Sequence, residues 1–307
     1  HLHLRTATRV LVRLGRFNAT GFADLQAGLR RVDWDAWLPE SADVSIRVAS
    51  TASKLYHTEA IEERVREVIG FGVGAPQRLS VRVDHDLVTL SLDASGDPLF
   101  MRGWRQEAVD APIRETLAAA LVLWSGWDGR SPLIDPCCGS GTIAIEAAMW
   151  ARKVAPGRHR SFAFMEWPCA AVGDWGRLCA AADADVRTSG PTVRASDIDP
   201  SAVAMAQANA ERAAVQLEAS VMDVASLANE PRGTRAGWVI TNPPYGARMA
   251  GDLRRTYEAV GRLAEVPWHL AVVAAQGSPT NSFGRTWGDS LSTRNGGLAV
   301  RFLKALS

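Results

Sequence analysis

The chain of 307 residues has only four cysteines and no long apolar run. No two cysteines form a C-x-x-C pair, and Cys137 and Cys138 are adjacent, which excludes a disulfide framework and a zinc site of the usual spacing. No apolar run approaches the roughly 18 residues that span a membrane, and no signal peptide is visible. We therefore expect a protein of the reducing cytoplasm without membrane or metal partners. Because the chain begins at His1 rather than Met, we also expect residues to precede it.

The chain also lacks an excess of charge of either sign. It has 34 Lys and Arg against 33 Asp and Glu, a formal net charge of +1, so the strong basic excess typical of nucleic-acid binding is absent. The best local basic stretch is residues 152–160, with no acid between Glu146 and Glu166. This pattern fits an RNA-binding loop and a solvated surface loop equally well. The candidate RNA contacts there are Arg152, Lys153, Arg158, His159 and Arg160.

Apolar residues make up 47% of the chain, enough for large cores in two or three domains. Residues 1–100 have the pattern of a small α/β region, with a hairpin around Asp84-His85-Asp86. After a helix predicted at 112–124, strands and helices alternate, which indicates a mainly parallel sheet. Asn295-Gly296 between two apolar segments predicts a further hairpin. The predicted fold class is therefore α/β, with a Rossmann-like domain after the smaller region.

A glycine-rich turn follows the first strand of the predicted parallel sheet. Residues 131–135 are a short apolar run that ends in an acid, as a buried strand would. Gly139 and Gly141 permit a tight turn and a close approach of the backbone to a ligand, and a helix begins near Thr142. This arrangement favours a nucleotide-like cofactor, although an ordinary tight turn has the same pattern. Ala144 stands where a dinucleotide fingerprint would have its third glycine.

Acidic residues follow the next two predicted strands. Asp197 ends the second strand, where a carboxylate can accept hydrogen bonds from both ribose hydroxyls. Asp199 is predicted to cap the next helix, with Pro200 at the first helical position. Asp223 follows the third strand and could accept from an adenine amino group or be a plain turn aspartate. These acids extend the case for a nucleoside cofactor.

Asn242-Pro243-Pro244-Tyr245 follows the strand predicted at 237–241. An exocyclic amine is a poor nucleophile because its lone pair is delocalised into the ring. The Asn242 side-chain oxygen and the Pro243 carbonyl can both accept its hydrogens and stabilise the charge that develops during transfer. Prolines stiffen the loop, and Tyr245 can stack on an extruded base. Although a plain proline-rich loop is the alternative, the two motifs together predict an S-adenosylmethionine-dependent methyltransferase that acts on an exocyclic NH2.

Several segments resemble the THUMP-domain guanine-N2 RNA methyltransferases, and most closely the bacterial branch that acts on large-subunit ribosomal RNA. The resemblance covers essentially the whole chain. The Asn-Pro-Pro-Tyr motif alone is shared with adenine, cytosine and glutamine methyltransferases. Its combination with the Ala-Pro-Gly-x-His motif at residues 155–159 and with the N-terminal segments is far more specific. The segments that resemble the family are residues 2–9, 53–58, 111–120, 135–142, 155–159, 196–199 and 242–248.

The resemblance implies a partial ferredoxin-like region at 1–40, a THUMP RNA-binding domain at 41–100 and a Rossmann-like methyltransferase domain at 101–307 with an antiparallel last strand. It implies methylation of the N2 amine of a guanosine in 23S rRNA. The partner would be structured RNA, namely 23S rRNA or a ribosome assembly intermediate. We expect a monomer.

The resemblance also implies that residues before the first strand hold the methionine part of S-adenosylmethionine, here Arg114, Glu115 and Thr116. Lys54 joins the candidate RNA contacts, and the candidate catalytic residues are Asn242, Pro243, Pro244 and Tyr245. The other candidate cofactor contacts are Asp135, Cys137, Gly139, Gly141, Thr142, Asp197, Ile198, Asp223, Val224 and Asn242.

Other functions remain open at this point. A transfer-RNA guanosine-N2 methyltransferase and an adenine-N6 RNA methyltransferase would use the same motifs. A protein glutamine methyltransferase is disfavoured by the THUMP-like segment. A catalytically dead RNA-binding protein is disfavoured because Asp197, Asn242, Pro243 and Tyr245 are intact.

Overall fold

The computed structural model describes residues 1–40, 42–70, 72, 76–106, 112–230, 235–245 and 253–306. The chain divides into two compact units. The first unit comprises His1 and residues 7–99 and 160–179, and the second comprises residues 2–6, 100–159 and 180–307. Among the described residues, no helix is long and apolar enough to cross a membrane.

Helices and strands alternate along much of the chain, with short 3₁₀ turns at Ala163–Glu166 and Thr280–Phe283. In chain order they are β1 (Leu11–Asn18), α1 (Phe22–Leu29), α2 (Trp34–Trp37), β2 (Asp43–Thr51), α3 (Thr58–Ile69), β3 (Pro76–Asp84), β4 (Leu87–Asp93), α4 (Glu115–Ser125), β5 (Leu133–Asp135), α5 (Thr142–Ala151), α6 (Val172–Ala184), β6 (Val193–Asp197), α7 (Pro200–Arg212), β7 (Glu218–Val221), α8 (Val224–Ala228), β8 (Trp238–Thr241), α9 (Leu253–Leu263), β9 (His269–Ala275), β10 (Trp287–Asn295) and β11 (Leu298–Ala305).

The first unit contains a four-stranded sheet in the order β1-β4-β3-β2. Strands β2 and β3 are parallel, and the other two neighbouring pairs are antiparallel. The predicted hairpin is confirmed, since β3 and β4 are joined by His85 and Asp86, whose φ angles are 51° and 62°. Two positive φ angles are what a tight two-residue hairpin turn requires. Alternate residues of β3 and β4 are buried against helices α1 and α3.

The predicted boundary at residue 40 does not separate two units. Strand β1, from the region predicted as ferredoxin-like, pairs along its length with β4, from the region predicted as THUMP. Residues 160–179, predicted within the methyltransferase domain, belong to the first unit instead. There Trp167 is buried in the core and its indole Nε1 donates to Gln77 Oε1 at 2.8 Å. The names ferredoxin-like and THUMP remain predictions for this unit.

The second unit contains a seven-stranded sheet in the order β10-β11-β9-β8-β5-β6-β7. Strands β5 to β9 run parallel to one another, whereas β11 runs antiparallel between β9 and β10. The α/β class, the Rossmann-like sheet and the antiparallel last strand are thus confirmed, as is the hairpin in which Asn295 pairs with Leu298. Strands β5 and β8 are buried along their whole length, which explains their continuous apolar sequences.

The strand order fixes where a ligand can bind. From β5 the chain continues to β6 and β7 on one side of the sheet, and then to β8 and β9 on the other. In open α/β sheets, the carboxyl ends of the strands form a crevice at such a reversal of direction. The crevice of this chain therefore lies after Asp135 of β5, between the ends of β6 and β8.

Candidate active site

A cavity of about 470 Å³ occupies the predicted crevice. This volume is within the roughly 300–1,000 Å³ of small-molecule sites. The ends of four neighbouring strands contribute Asp135, Asp197, Asp223 and Asn242 to its wall. Among the described residues, no lysine or arginine lines the cavity. The wall as a whole consists of Pro112, Ile113, Asp135, Pro136, Cys137, Cys138, Gly139, Ser140, Thr142, Ile143, Asp197, Ile198, Asp223, Val224, Asn242, Pro243, Pro244, Tyr245 and Thr256.

Most of the residues predicted from the sequence come together in this wall. All four catalytic candidates line the cavity. The structure does not bring Gly141, Arg114, Glu115 or Thr116 to it. The cofactor candidates that do line it are Asp135, Cys137, Gly139, Thr142, Asp197, Ile198, Asp223, Val224 and Asn242.

The turn after β5 is held by the acid at the end of β6. Gly139 has a φ of 51°, and its backbone N–H donates to Asp197 Oδ2 at 2.9 Å. Asp197 Oδ1 accepts from the backbone N–H of Asp199 at 3.1 Å. Each carboxylate oxygen thus has one protein donor, and an ionised carboxylate has about four acceptor positions. Asp197 therefore keeps the capacity to accept from a vicinal diol.

Asp199 and Gly141 shape the starts of two helices. Asp199 precedes α7 and accepts from Ser201 N at 2.8 Å, with Pro200 at the first helical position, so the predicted cap is confirmed. Gly141 precedes α5 with a φ of 84°. A Cβ atom there would lie 2.9 Å from Ala206 Cβ. Gly141 is thus needed for the turn and for close packing against α7, and it is set back from the cavity.

Asp135 is a buried carboxyl group at the floor of the cavity. Its Oδ1 accepts from Thr241 Oγ1 at 2.7 Å. Burial raises the pKa of Asp135 to about 7, and this effect outweighs the hydrogen bonds from Thr241 and from the Cys137 backbone. Near neutral pH the group is therefore divided between its protonated and ionised forms, and a cation placed beside it would favour the ionised form.

The loop at residues 242–245 has one buried acceptor without a hydrogen-bond partner and one that is already bonded. The Asn242 Oδ1 atom is buried and has no hydrogen-bond partner among the described residues. The Pro244 carbonyl accepts from Tyr257 Oη at 3.1 Å. Tyr257 is itself fully buried and stacks on Phe283 with ring centroids 4.3 Å apart. Tyr257 therefore holds the loop in place through the Pro244 carbonyl. A buried carboxamide oxygen without a hydrogen-bond donor lowers the stability of the folded protein. A ligand in the cavity that donates to Asn242 Oδ1 would remove this cost.

Tyr245 lies at the end of the described part of this loop. It is half-buried, and its hydroxyl oxygen accepts from Asn295 Nδ2 at 3.3 Å. The ring thus lines the cavity with its hydroxyl tied to the last residue of β10. The rest of the family-like segment, residues 246–248, lies outside the described residues.

The residues before α4 are arranged differently from the prediction. Glu115 is buried and pairs with Arg105, with Arg105 Nη2 at 2.7 Å from Glu115 Oε2. Burial raises the pKa of Glu115 to about 7 even though Arg105 favours its ionised form. The same arginine donates to the Ile113 carbonyl at 2.9 Å. Because Ile113 lines the cavity, the Arg105–Glu115 pair supports the wall from outside it.

The basic stretch at 152–160 is largely engaged in contacts within the protein. Arg152 Nε donates to the Arg187 carbonyl at 3.0 Å, and its Nη1 donates to the Ala214 carbonyl at 2.9 Å. Lys153 pairs with Asp185 at 2.9 Å, and Arg158 pairs with Asp183 at 3.0 Å.

The other candidate RNA contacts are distributed between the two units. His159 belongs to the second unit, and desolvation of its ring, together with the neighbouring Arg158 charge, lowers its pKa. In the first unit, Arg160 donates to backbone carbonyls of residues 95, 97 and 98 and lies over the Phe162 ring. Lys54 is exposed, and its backbone N–H donates to Asp86 Oδ1 at 2.7 Å. The prediction of an RNA-binding loop at 152–160 therefore stays untested, with four of its cations already partnered.

Part of the wall was not predicted from the sequence. Pro112 and Ile113 immediately precede the candidates 114–116, so the residues that line the cavity lie just before the predicted ones in sequence. Pro136, Cys138, Ser140 and Ile143 belong to the glycine-rich segment and could have been included with it. Thr256 of α9 belongs to no motif, and nothing in its sequence context indicates a site.

The set of hydrogen-bond acceptors in this cavity fits S-adenosylmethionine. Acceptors for a ribose, an adenine amino group and a cation are provided by Asp197, Asp223 and Asp135, all in one cavity. Residues 102–284, more than half of the chain, match the UPF0020 family, described as RMKL-like, methyltransferase domain. The chain belongs to this family.

Individual relatives agree with the family match. The chain is 33% identical to the ribosomal RNA large subunit methyltransferase K/L of Psychromonas ingrahamii, over 95% of this chain and 42% of that protein. It is 30% identical to the putative RNA methyltransferase YpsC of Bacillus subtilis, over 93% of this chain and 79% of that one. The solved structure of a putative methyltransferase complexed with SAH superposes with a TM-score of 0.85 at 29% identity, over 99% of this chain and 85% of that one.

Two consequences follow from these comparisons. The chain spans less than half the length of the K/L relative. The prediction of S-adenosylmethionine as the cofactor is confirmed, since the chain has a methyltransferase domain of this family and a related putative methyltransferase was solved with SAH bound.

Proposed function

We propose that this protein is an S-adenosylmethionine-dependent RNA methyltransferase that methylates the exocyclic N2 amine of a guanosine in 23S rRNA. The observation that supports this most is the buried, unpartnered Asn242 Oδ1 in the wall of the cofactor cavity, among the residues that the structure describes. A planar NH2 group is a donor that would satisfy this oxygen, and it is also the group to be methylated. The names of the K/L and YpsC relatives support RNA as the substrate class.

The Asn242 loop would act on the amine. Asn242 Oδ1 and the Pro243 carbonyl accept its two hydrogens. This favours an sp3-like nitrogen whose lone pair is no longer delocalised into the ring and is therefore nucleophilic. Tyr257 occupies the Pro244 carbonyl, so that carbonyl is not in competition for the amine. After transfer the nitrogen is positively charged and releases a proton, so these residues need only hold and orient the amine.

S-adenosylmethionine supplies an electrophilic methyl group when it is bound. We assign the ribose hydroxyls to Asp197 and the adenine amino group to Asp223, with the Gly139 backbone close to the ligand. For the methionine part we assign Pro112 and Ile113 to the contact, with Glu115 and Arg105 behind them. Arg114 then immediately precedes α4 and Thr116 lies in its first turn, without contact with the ligand.

The first unit would bind structured RNA, and Tyr245 would stack on the extruded guanine. Single bases taken out of a helix are commonly stacked on aromatic rings and recognised through their edges. An adenine N6 amine would satisfy Asn242 equally well, so the choice of guanine depends on the family resemblance. The same applies to 23S rRNA rather than transfer RNA.

Labelling of separate substrate pools distinguishes these alternatives. The purified protein is incubated with methyl-labelled S-adenosylmethionine and separate pools of 23S rRNA, transfer RNA and protein, and modified nucleosides are identified by mass spectrometry. We expect label in 23S rRNA as N2-methylguanosine. N6-methyladenosine would preserve the amine mechanism and overturn the base. Label only in transfer RNA would overturn the target, label only in protein would overturn the substrate class, and no label in any pool would overturn the activity.

A further inference from the structure

A second cavity lies at the opposite edge of the seven-stranded sheet. Its volume is about 390 Å³, and its wall includes Pro132 and Thr192. These residues immediately precede β5 and β6, and Arg235 in the same wall precedes β8. Because these three strands are parallel, the cavity is at their amino ends. Pro132 and Pro136 line the two cavities at opposite ends of β5, roughly 13 Å apart at about 3.3 Å per residue.

The charge of this cavity is distinct. Arg130, Arg187 and Arg235 line it, and no aspartate or glutamate among the described residues does so. The three arginines come from three separate loops and are exposed to solvent. Within the described part of the chain, none of them forms an ion pair. A concave surface lined by one sign of charge concentrates ligands of the opposite sign.

Two acids lie close in sequence to these arginines, and the carboxylate of each has other partners. The Asp128 carboxylate accepts from the backbone N–H groups of Arg130 and Ser131, at 2.9 and 2.8 Å. Asp185 pairs with Lys153 at 2.9 Å, and the influence of Arg187 on its pKa is weaker than that of Lys153. Arg187 is oriented by its Nη1, which donates to the Ala151 carbonyl at 3.1 Å. The arginines of this cavity thus have no carboxylate paired with them in the described structure, in contrast to the cations of the predicted basic loop.

We propose that the cavity lined by Arg130, Arg187 and Arg235 binds a phosphate oxyanion, and that the phosphate belongs to the backbone of the RNA substrate. A guanidinium group matches phosphate geometry with two parallel hydrogen bonds, which an ammonium group cannot do. The RNA part of this inference depends on the proposed function. Under this proposal, the second unit contacts the phosphates of RNA at this cavity rather than at the neighbouring 152–160 loop.

The salt dependence of RNA binding tests this proposal. Retention of purified 23S rRNA by the full chain is measured by filter binding across a KCl series for wild type, R130Q, R235Q and the double variant. Arg130 and Arg235 are chosen because Arg187 also holds a backbone carbonyl. R301Q is the matched control, since Arg301 is exposed on β11 and does not line the cavity. The affinity for S-adenosylmethionine, from calorimetry, checks that each variant is folded.

We expect each cavity substitution to weaken RNA binding by up to about fivefold, as for exposed charge pairs, and to reduce the salt slope by about one. R301Q should change neither quantity by a comparable amount. Equal affinity and salt slope in wild type and the double variant would overturn the inference.

Three further outcomes distinguish a failure of this inference from a failure of the proposed function. If calorimetry with inorganic phosphate alone shows saturable binding that the double variant loses, while 23S rRNA binding is unchanged, the site takes a free oxyanion and the RNA assignment is wrong. If wild type methylates 23S rRNA but the cavity variants bind it normally, the proposed function stands and only this inference fails. If wild type neither binds nor methylates RNA, both fail.

Discussion

The two ends of the seven-stranded sheet carry opposite charges. At the carboxyl ends, Asp135, Asp197 and Asp223 line a cavity whose described wall contains no lysine or arginine. At the amino ends, three arginines line a cavity whose described wall contains no acid. The net charge of +1 conceals this separation, because the opposite charges cancel in the total.

The difference indicates how such a scaffold can sort its ligands. An acidic cavity favours the cationic parts of S-adenosylmethionine and repels phosphates, so that an uncharged base can enter while its backbone stays outside. An arginine cavity has the opposite preference. Complementary charge of this kind contributes more to specificity than to affinity. Substitutions at Asn242, Asp135 and Asp197 probe the acidic cavity, from the largest expected effect to the smallest.

The largest effect should come from Asn242, the uncharged hydrogen-bonding group of the acidic cavity. We expect Asn242→Ala to lower the turnover rate by roughly a hundredfold or more, as removal of one oriented transition-state group does. Binding of S-adenosylmethionine should be nearly unchanged, because the side chain acts mainly on the amine. Single-turnover kinetics and calorimetry measure the two quantities. A variant that keeps more than about a tenth of the wild-type rate would contradict the assigned role.

Asp135 should make the free protein less stable as pH rises. Burial raises its folded-state pKa from the ordinary 3.8 to about 7, so between these values the folded state binds more protons than the unfolded chain. The free energy of unfolding then falls with increasing pH, by about 2 kcal/mol between pH 5.5 and 8 for this group. Urea unfolding of wild type and Asp135→Asn at the two pH values tests this.

The Asp135→Asn variant should lose that part of the pH dependence. Its carboxamide can still accept from Thr241 Oγ1, so packing is preserved. The pKa of Glu115 is also raised by burial to about 7, from the ordinary 4.5, and its contribution should remain in the variant. Identical pH dependence in wild type and Asp135→Asn would show that Asp135 ionises normally in the folded protein.

The sequence predicted the acidic cavity much better than the basic one. The turn after Asp135 and the Asn242 loop have local patterns with few other uses, and strand polarity brings their ends together. The arginine cavity combines Arg130, Arg187 and Arg235, which are far apart in sequence and share no pattern. The stretch at 152–160 is the opposite case, since its positive charges are adjacent in sequence but bind partners such as Asp183 and Asp185 in the folded protein.

Local patterns were also insufficient for roles that depend on packing. A glycine with positive φ is required both in a ligand-binding turn and where two helices approach, so sequence did not separate Gly139 from Gly141. The length of strand β1 (Leu11–Asn18) is set by its pairing with β4, which continues to Asn18 opposite Leu87. Residues 160–179 join the first unit through long-range contacts such as the hydrogen bond from Trp167 to Gln77, which no local pattern encodes.

The smallest of the three effects concerns the cofactor, and the chain provides a matched pair for it. Asp197 and Asp199 are two residues apart, but only Asp197 lines the acidic cavity. We expect Asp197→Ala to weaken S-adenosylmethionine binding by at least about tenfold, because unpaired buried polar groups cost about 1–3 kcal/mol. Asp199→Ala should leave that affinity nearly unchanged and lower the stability of the protein, as loss of a helix cap does.

Calorimetry of both variants, together with Asp197→Asn, distinguishes ligand binding from support of the turn. The Asn variant keeps one oxygen that can accept from the Gly139 N–H, so it should preserve the turn while losing the negative charge and one acceptor. An affinity between those of wild type and Asp197→Ala would show that the carboxylate contacts the ligand as well as Gly139. If Asp197→Ala and Asp199→Ala weaken binding equally, the effect comes from the β6–α7 turn as a whole, and the assignment of the ribose hydroxyls to Asp197 is wrong.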